Sequence, residues 1–395
     1  MIKSKKYFAY GLGILLFVIT SLLFPRLILN KIVFALLFFF IVIDFKTFKG
    51  ITFAPILLSL MFFLGYFNSF FNFVDSRLSL QLFLSTSILF LIYPIIRYNI
   101  NFDSICKISG LIVFGYTIIT FFIVNKIFEI PYYNDYISIF KKISSGSYGY
   151  RSFQNFQIYI IRIAAAPFLY ISLVLFFISY LNKRKIVNLV FTFLIVLCII
   201  LSASRGLIFS SIVALLVIVF FYLHGKKRYV FFITTTLTFL IGIYCISQYT
   251  DIFSQYERSN HVKINHITSY FYQLEFKDFL LGNGLGAFFY SSGRSKFIAA
   301  SEVSPLDILR YFGIILTFFI YYKIILPVNS ISFSKLNLLY LILFLIYLFN
   351  SFTNPTMFNS FGMLVILWYW YKILSNDEQI KKIPQHENLL YNNSL

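Results

Sequence analysis

Apolar runs of about twenty residues follow one another along most of the chain, separated by short junctions that are polar and often basic. A helix that crosses a bilayer needs about 20 apolar residues at about 1.5 Å each. On that spacing the pattern predicts helices at roughly 7–24, 27–44, 51–67, 78–96, 105–124, 157–180, 186–203, 206–223, 229–249, 305–322, 336–352 and 356–374. The expected fold class is an all-α polytopic membrane protein of about twelve transmembrane helices. Residues 1–374 form its single transmembrane domain and 375–395 a polar tail. Two long polar connections interrupt the rhythm, at about 125–156 and 250–304. The second makes a large loop between the ninth and tenth helices. Each connection holds an amphipathic piece. Tyr136, Ile139, Phe140 and Ile143 recur at helical spacing behind Asn134 or Asp135 as N-cap. Ile267, Phe271 and Leu274 share a second helical face. Both pieces read as short helices lying at the outer membrane surface.

Composition strengthens the membrane assignment. The chain is 59% hydrophobic and 12% charged, with mean hydropathy +0.83. A soluble domain is about a quarter charged. The net charge of +19 is spread between apolar runs, so no soluble basic face for nucleic acid is expected. The basic residues instead assign sides. Lys3, Lys5 and Lys6, then Lys46 and Lys49, Arg97, Lys183-Arg184-Lys185, Lys226-Lys227-Arg228, Lys323, Lys335 and Lys381-Lys382 all fall on one side of twelve crossings. That side is cytoplasmic by the positive-inside rule, and it takes both termini. The basic start resembles a signal peptide. Its apolar run is long and reaches "LLFPR" without a small-x-small cleavage site, so an uncleaved first span is expected. Cys106, Cys198 and Cys245 lie within apolar runs and predict no structural disulfide.

The candidate chemistry is mostly arginine. The apolar stretch 186–223 would make one helix about 57 Å long, almost twice a bilayer core. It must fold back at "SASRG", which puts Arg205 at an outer hairpin tip. There it either snorkels to headgroups or binds an anion through paired donors. In "YERSNHVKINH", Glu257, Arg258, His261, Lys263 and His266 make a cationic patch or a solvated loop. The spacing of the two histidines suits zinc poorly. Gly282, Gly284 and Gly286 in "LLGNGLGAFF" lack the dinucleotide-binding pattern and suggest a bend with close backbone approach. In "SEVSPLDILRYFGI", Ser304 reads as an N-cap with Pro305 at N1 and Asp307 at N3. Glu302 then stands at the outer mouth and Arg310 in the first turns. Arg151 lies just before the sixth helix, and Arg162 inside it. An ionisable residue at such depth is a functional candidate by default. Arg151, Arg205, Arg258 and Arg310 share the outer side with Glu302, which suits a membrane-anchored diphosphate.

The "SASRG" turn, the late loop opening with "ER", "LLGNGLGAF" and "SEVSPLDILRYFGI" resemble the Wzy-type O-antigen and capsular repeat-unit polymerases of the O-antigen ligase and polymerase superfamily. The topology also resembles GT-C-type enzymes. This resemblance implies a glycosyltransferase of the bacterial cytoplasmic (inner) membrane. It would extend undecaprenyl-diphosphate-linked oligosaccharides on the extracytoplasmic side of the membrane, without metal or other cofactor and without nucleic acid. A chain-length regulator and a flippase would be its partners. By position, Arg205 and Arg258 would stabilise the leaving diphosphate and Glu302 would act as base. Arg151, Arg310, Lys263 and His261 would bind substrate. The ligase branch carries a His-Asn pair where this chain has Glu302-Val303, which favours a polymerase. A lipid-linked oligosaccharide flippase or transporter and an O-antigen ligase are the alternatives.

Overall fold

The structure is a computed structural model. It describes residues 2–376 apart from 49, 73, 129, 154–155, 203, 250–257, 329–333, 353 and 355–356. Glu257 and the basic pair of the tail therefore lie outside the described residues. The helices in the N-terminal half are α1 (Ile2–Leu23), α2 (Ile28–Ile43), α3 (Ala54–Phe71), α4 (Ser76–Thr86), α5 (Ile92–Arg97), α6 (Phe102–Val124) and α7 (Tyr133–Lys142). A hairpin of β1 (Ser147–Phe153) and β2 (Phe156–Arg162) follows. Next come α8 (Leu169–Lys183), α9 (Ile186–Leu201), α10 (Arg205–Tyr222), α11 (Lys226–Tyr249), α12 (Arg258–Gln273) and α13 (Phe276–Leu281). A second hairpin, β3 (Phe289–Ser291) with β4 (Lys296–Ile298), leads to α14 (Ser304–Ile325), α15 (Lys335–Ser351) and α16 (Ser360–Asn376).

The chain is mostly helical, and each predicted apolar segment has a helical counterpart. Seven stretches among the described residues are long and apolar enough to cross a membrane: 6–23, 54–71, 76–97, 102–124, 166–183, 205–222 and 304–325. The apolar helices α2, α9 and α15 are shorter. The sixth predicted span differs most. Residues 156–162 are strand, paired antiparallel to 147–153 with Arg162 opposite Ser147, and the helix proper starts only at Leu169. Arg162 is therefore an exposed strand end and not a residue inside a span. "FQIYIIR" is rich in β-branched and aromatic residues that suit a pleated strand, and hydropathy alone does not separate that from the start of a helix. Capping also differs. α7 begins at Tyr133 behind Tyr132, and α14 begins at Ser304 behind Val303, with no side-chain cap on either. Of the predicted first-loop stripe, Phe140 is buried but Ile139 is half exposed; Ile137 joins the core instead.

The core is organised around α16, whose side chains from Phe361 to Leu374 are almost all buried and apolar apart from Lys372, as expected of an enclosed helix. Trp368, Tyr369 and Trp370 are completely buried there, and α16 packs against α1, α4, α5, α6 and α15. Its aromatic donors finish off the end of α14: Trp370 Nε1 donates to the carbonyl of Ile324 at 2.9 Å and Tyr369 Oη to that of Ile325 at 2.7 Å. Polar ties bind other helix ends. Asp44 accepts from Lys6 Nζ (2.8 Å), Tyr10 Oη (3.1 Å) and Tyr98 Oη (3.2 Å). Lys372 of α16 pairs with Asp103 in the first turn of α6.

The glycine segment after α13 controls the opposite face. α14 is broken at Gly313, whose φ of 68° is left-handed. The break frees carbonyls that a continuous helix would have bonded. The N–H of Asn283 donates to Arg310 O (2.7 Å), and the N–H of Gly284 to Tyr311 O (3.1 Å). Thr317 Oγ1 spans the break to Ile308 O at 3.2 Å. On its other side the segment meets α3 and α4. Leu285 N–H donates to Gly65 O (3.0 Å), Asn68 Nδ2 donates to Gly282 O (3.0 Å), and Ser79 Oγ donates to Leu285 O (2.6 Å). A Cβ on Gly284 would stand 2.5 Å from the Ser69 backbone, and one on Gly313 would stand 2.2 Å from Leu280 O. Gly284→Ala and Gly313→Ala should each lower stability by more than about 2 kcal/mol, from a left-handed backbone and overpacking together. Gly115→Ala, where nothing lies within 4 Å of the added methyl, should be neutral or stabilising by up to about 1 kcal/mol. Thermal unfolding in detergent checks all three.

Candidate active site

The first half of α14, residues 304–312, is fixed by an internal ion pair. Arg310 is 1% exposed, and its Nη2 donates to Asp307 Oδ1 at 2.9 Å and to the carbonyl of Ala299. Asp307 also accepts the N–H of Ser301 on both oxygens, at 2.9 and 3.0 Å. The carboxylate thus reaches back to hold the incoming strand. Tyr311 Oη donates to Ala299 O at 2.5 Å, and the guanidinium lies 4.5 Å from the centroid of the Phe289 ring. Arg310 is therefore matched by Asp307 beneath α12 and the second hairpin. Burial makes this pair demanding: breaking it leaves a charge in a site that cannot solvate it.

A layer of α12 and the hairpin covers that half-helix. α12 turns polar groups inward. His266 is fully buried and its Nδ1 lies 2.6 Å from Ser291 Oγ. Ser269 Oγ meets Ser292 Oγ at 2.7 Å, and Gln273 exchanges two hydrogen bonds with the backbone of Tyr290, at 2.7 and 3.1 Å. Phe289 packs edge-on to both His266 and Tyr270. Burial first, and then the Arg294 guanidinium, push the His266 imidazole below its ordinary pKa; Glu302 opposes them and Arg310 adds to them. His266 is accordingly neutral at pH 7. Burial pushes Tyr270 up to about 12.

At the rim stands Glu302, partly exposed. Arg294 Nη2, from the β3–β4 turn, donates to Glu302 Oε1 at 2.6 Å. The turn itself is pinned to α12, where Gly293 closes on Val262 and Asn265. No hydrogen bond to Glu302 Oε2 is made among the described residues.

The structure thus gathers Glu302, Arg294, His266, Asp307 and Arg310 into one group. Other predicted residues stand apart or are placed only by backbone. Arg205 is the first residue of α10, partly buried and engaged in contacts, in a first turn with no acid. α10 packs along α15, and Asn354 just beyond α15 accepts from Ser304 Oγ at 3.1 Å. Arg258 opens α12 and Arg151 lies on β1 opposite Ile158; their side chains lie outside the described residues. His261 is exposed beside Asn265, 3.2 Å away, and Lys263 is partly buried with contacts of its own. The sequence pattern did not single out Arg294, and it read Asp307 only as a helix-start residue. The one signal for Arg294 was its place in a Gly-Arg turn shortly before Glu302.

No protein-family model and no solved structure matches the chain. An O-antigen polymerase of Shigella flexneri is 27% identical over 198 residues, which is 48% of this chain and 48% of that protein. The chain therefore spans about half the length of the curated relative it matches.

Two outcomes test the site as built. Asp307→Ala should cost about 3–5 kcal/mol by stranding Arg310, and Asp307→Leu with Arg310→Met should recover most of that loss, both measured by thermal unfolding. His266 binds its proton more weakly folded than unfolded. Its contribution is therefore complete above the ordinary value of 6.5 and declines as pH falls below it. Hydrogen exchange along α12, corrected for intrinsic rates, should show protection lost from pH 7.5 to 5 in the wild type and much less change in His266→Asn.

Proposed function

We propose that this protein polymerises polyprenyl-diphosphate-linked oligosaccharide repeat units, by glycosyl transfer on the extracytoplasmic face. The observation that supports this most directly is Glu302. It is a partly exposed carboxylate just ahead of a helix apolar enough to cross a membrane, with one oxygen held by Arg294 and no hydrogen bond to the other among the described residues. The similarity to a named O-antigen polymerase and the many apolar helices favour the same substrate class.

The chemistry follows from the residues. The acceptor sugar hydroxyl attacks the anomeric carbon of the donor chain, and Glu302 takes the hydroxyl proton. The bond from that carbon to the diphosphate oxygen breaks, and its electron pair leaves with the lipid diphosphate. Guanidinium groups stabilise the charge that develops there, since paired donors match phosphate oxygens. Arg205 and Arg258 take this role in our proposal. Arg205 adds its charge to the positive end of α10. Arg151, Lys263 and His261 border the approach of the substrate. Arg310, bound to Asp307, holds the platform on which Glu302 sits. Undecaprenyl diphosphate is the proposed carrier, and a chain-length regulator and a flippase are the proposed partners.

Glu302→Gln, Arg205→Ala, Arg205→Lys and Arg258→Ala should each leave the protein in the membrane. Each should also lower polymerisation by about 100-fold or more, a size typical of lost acid–base or oxyanion groups. The readout is the length ladder of surface polysaccharide, together with extension of lipid-linked repeat units by purified protein in detergent. A full ladder in all four variants overturns the catalytic assignment. A protein that lengthens nothing in detergent yet moves repeat units across sealed vesicles is a transporter.

A further inference from the structure

α12 has its amphipathicity inverted. The side packed on β3 carries His266, Ser269 and Tyr270, at 0%, 9% and 3% exposure, while Ile264, Ile267 and Phe271 stand 46%, 38% and 53% exposed along the other side. The polar side bonds to the hairpin it covers through His266 Nδ1 and Ser269 Oγ. The apolar stripe has no protein partner of comparable extent among the described residues. In water such a stripe is a liability; in the outer leaflet of a bilayer it is a seat.

The depth of the neighbouring chain decides what covers it. α14, broken at Gly313, is long and apolar enough in its 22 residues to cross a membrane. Gly313 is nine residues, or about 13 Å, below the first residue of α14. A Cβ on Gly282 would lie 2.5 Å from the Gly313 nitrogen. The chain after α13 therefore meets α14 at its break, nine residues along from Ser304. Irregular backbone at that depth survives only if protein satisfies its polar groups. Here it does so, through the bonds from 282–285 to α3, α4 and α14. α13 meanwhile leaves Phe276 and Leu281 77% and 60% exposed, just beside this buried thread. Two residues separate α13 from α12. The exposed apolar surface is thus continuous from the lipid-facing flank of the bundle, through α13, to the stripe on α12. Lys277 of α13 and Lys296 of β4 are exposed, cations that suit phosphate headgroups.

We infer that α13 and the glycine segment form a re-entrant element, and that α12 lies in the outer leaflet with Ile264, Ile267 and Phe271 in the acyl chains of membrane lipid. This places the cap over Glu302 at the bilayer surface, whatever reaction Glu302 performs. The inference concerns the seating of the cap and stands apart from the catalytic proposal.

The test uses the full chain reconstituted in nanodiscs of phosphatidylethanolamine and phosphatidylglycerol. Ile267→Trp and Phe271→Trp add an indole to a protein whose native Trp368 and Trp370 are completely buried. Relative to wild type, the added fluorescence should be lost in large part when the lipids carry brominated acyl chains, and should resist aqueous iodide. Lys296→Trp should behave the other way. Indoles at 267 and 271 that iodide quenches as readily as that at 296 overturn the inference. Indoles shielded from both quenchers also overturn it, because a second copy or another protein then covers the stripe. Far-ultraviolet circular dichroism identical to wild type certifies that each variant is folded before it is scored.

Discussion

The site depends on a place where backbones touch without side chains between them. Gly282 and Gly284 enter against Gly313 and Ser69, and a methyl at either would overlap main-chain atoms. That contact lets one irregular strand of chain supply the N–H groups that a broken α14 needs. The broken helix in turn gives a short, separately held half-helix, which carries Asp307 and Arg310. Glu302 stands two residues ahead of that half-helix and inherits its position. Remove the close approach and the hydrogen-bond donors retreat, leaving buried carbonyls unpaired, each a costly defect in a low-dielectric interior.

Above this joint the electrostatics separate into two tiers. The lower pair, Asp307 and Arg310, is enclosed and tied on several sides to backbone, so it acts as a fixture. The upper pair, Arg294 and Glu302, is 43% and 30% exposed and can exchange partners with whatever arrives. Exposed pairs contribute little to stability, so loosening the upper pair leaves the fixture intact. Burial, Arg294 and Arg310 lower the pKa of the nearby His266, which disfavours a third cation in a region already holding two guanidinium groups.

Much of the architecture was legible in the chain because lipid imposes a length on apolar runs, and the runs of α1, α3 and α6 follow it closely. Legibility failed where structure rests on pairing between distant residues. The strand at 156–162 reads as the head of a span because its apolar residues run on toward Leu169, and only its partner at 147–153 makes it a strand. The glycines announced a close approach, but not that Ser69 and Gly313 were the surfaces approached. At the site, Glu302 and Arg310 stood out as ionisable residues beside a helix start. Their partners did not: Arg294 sits in an ordinary polar turn, and Asp307 mimics a common first-turn acid. For Arg205 and Arg258, counting crossings gives an expected side of the membrane but no position within its plane.

The enclosure of α16 carries a consequence for biosynthesis. It is the last described helix to leave the ribosome, and it is the one most completely surrounded. Helices made earlier must therefore stand apart, or hold a temporary occupant, until this one arrives and seals the seam between α1, α4, α5, α6 and α15. Assembly of the bundle is in that sense keyed from its carboxyl end, and the interval before closure is when the nascent protein most needs the protection of the insertion machinery.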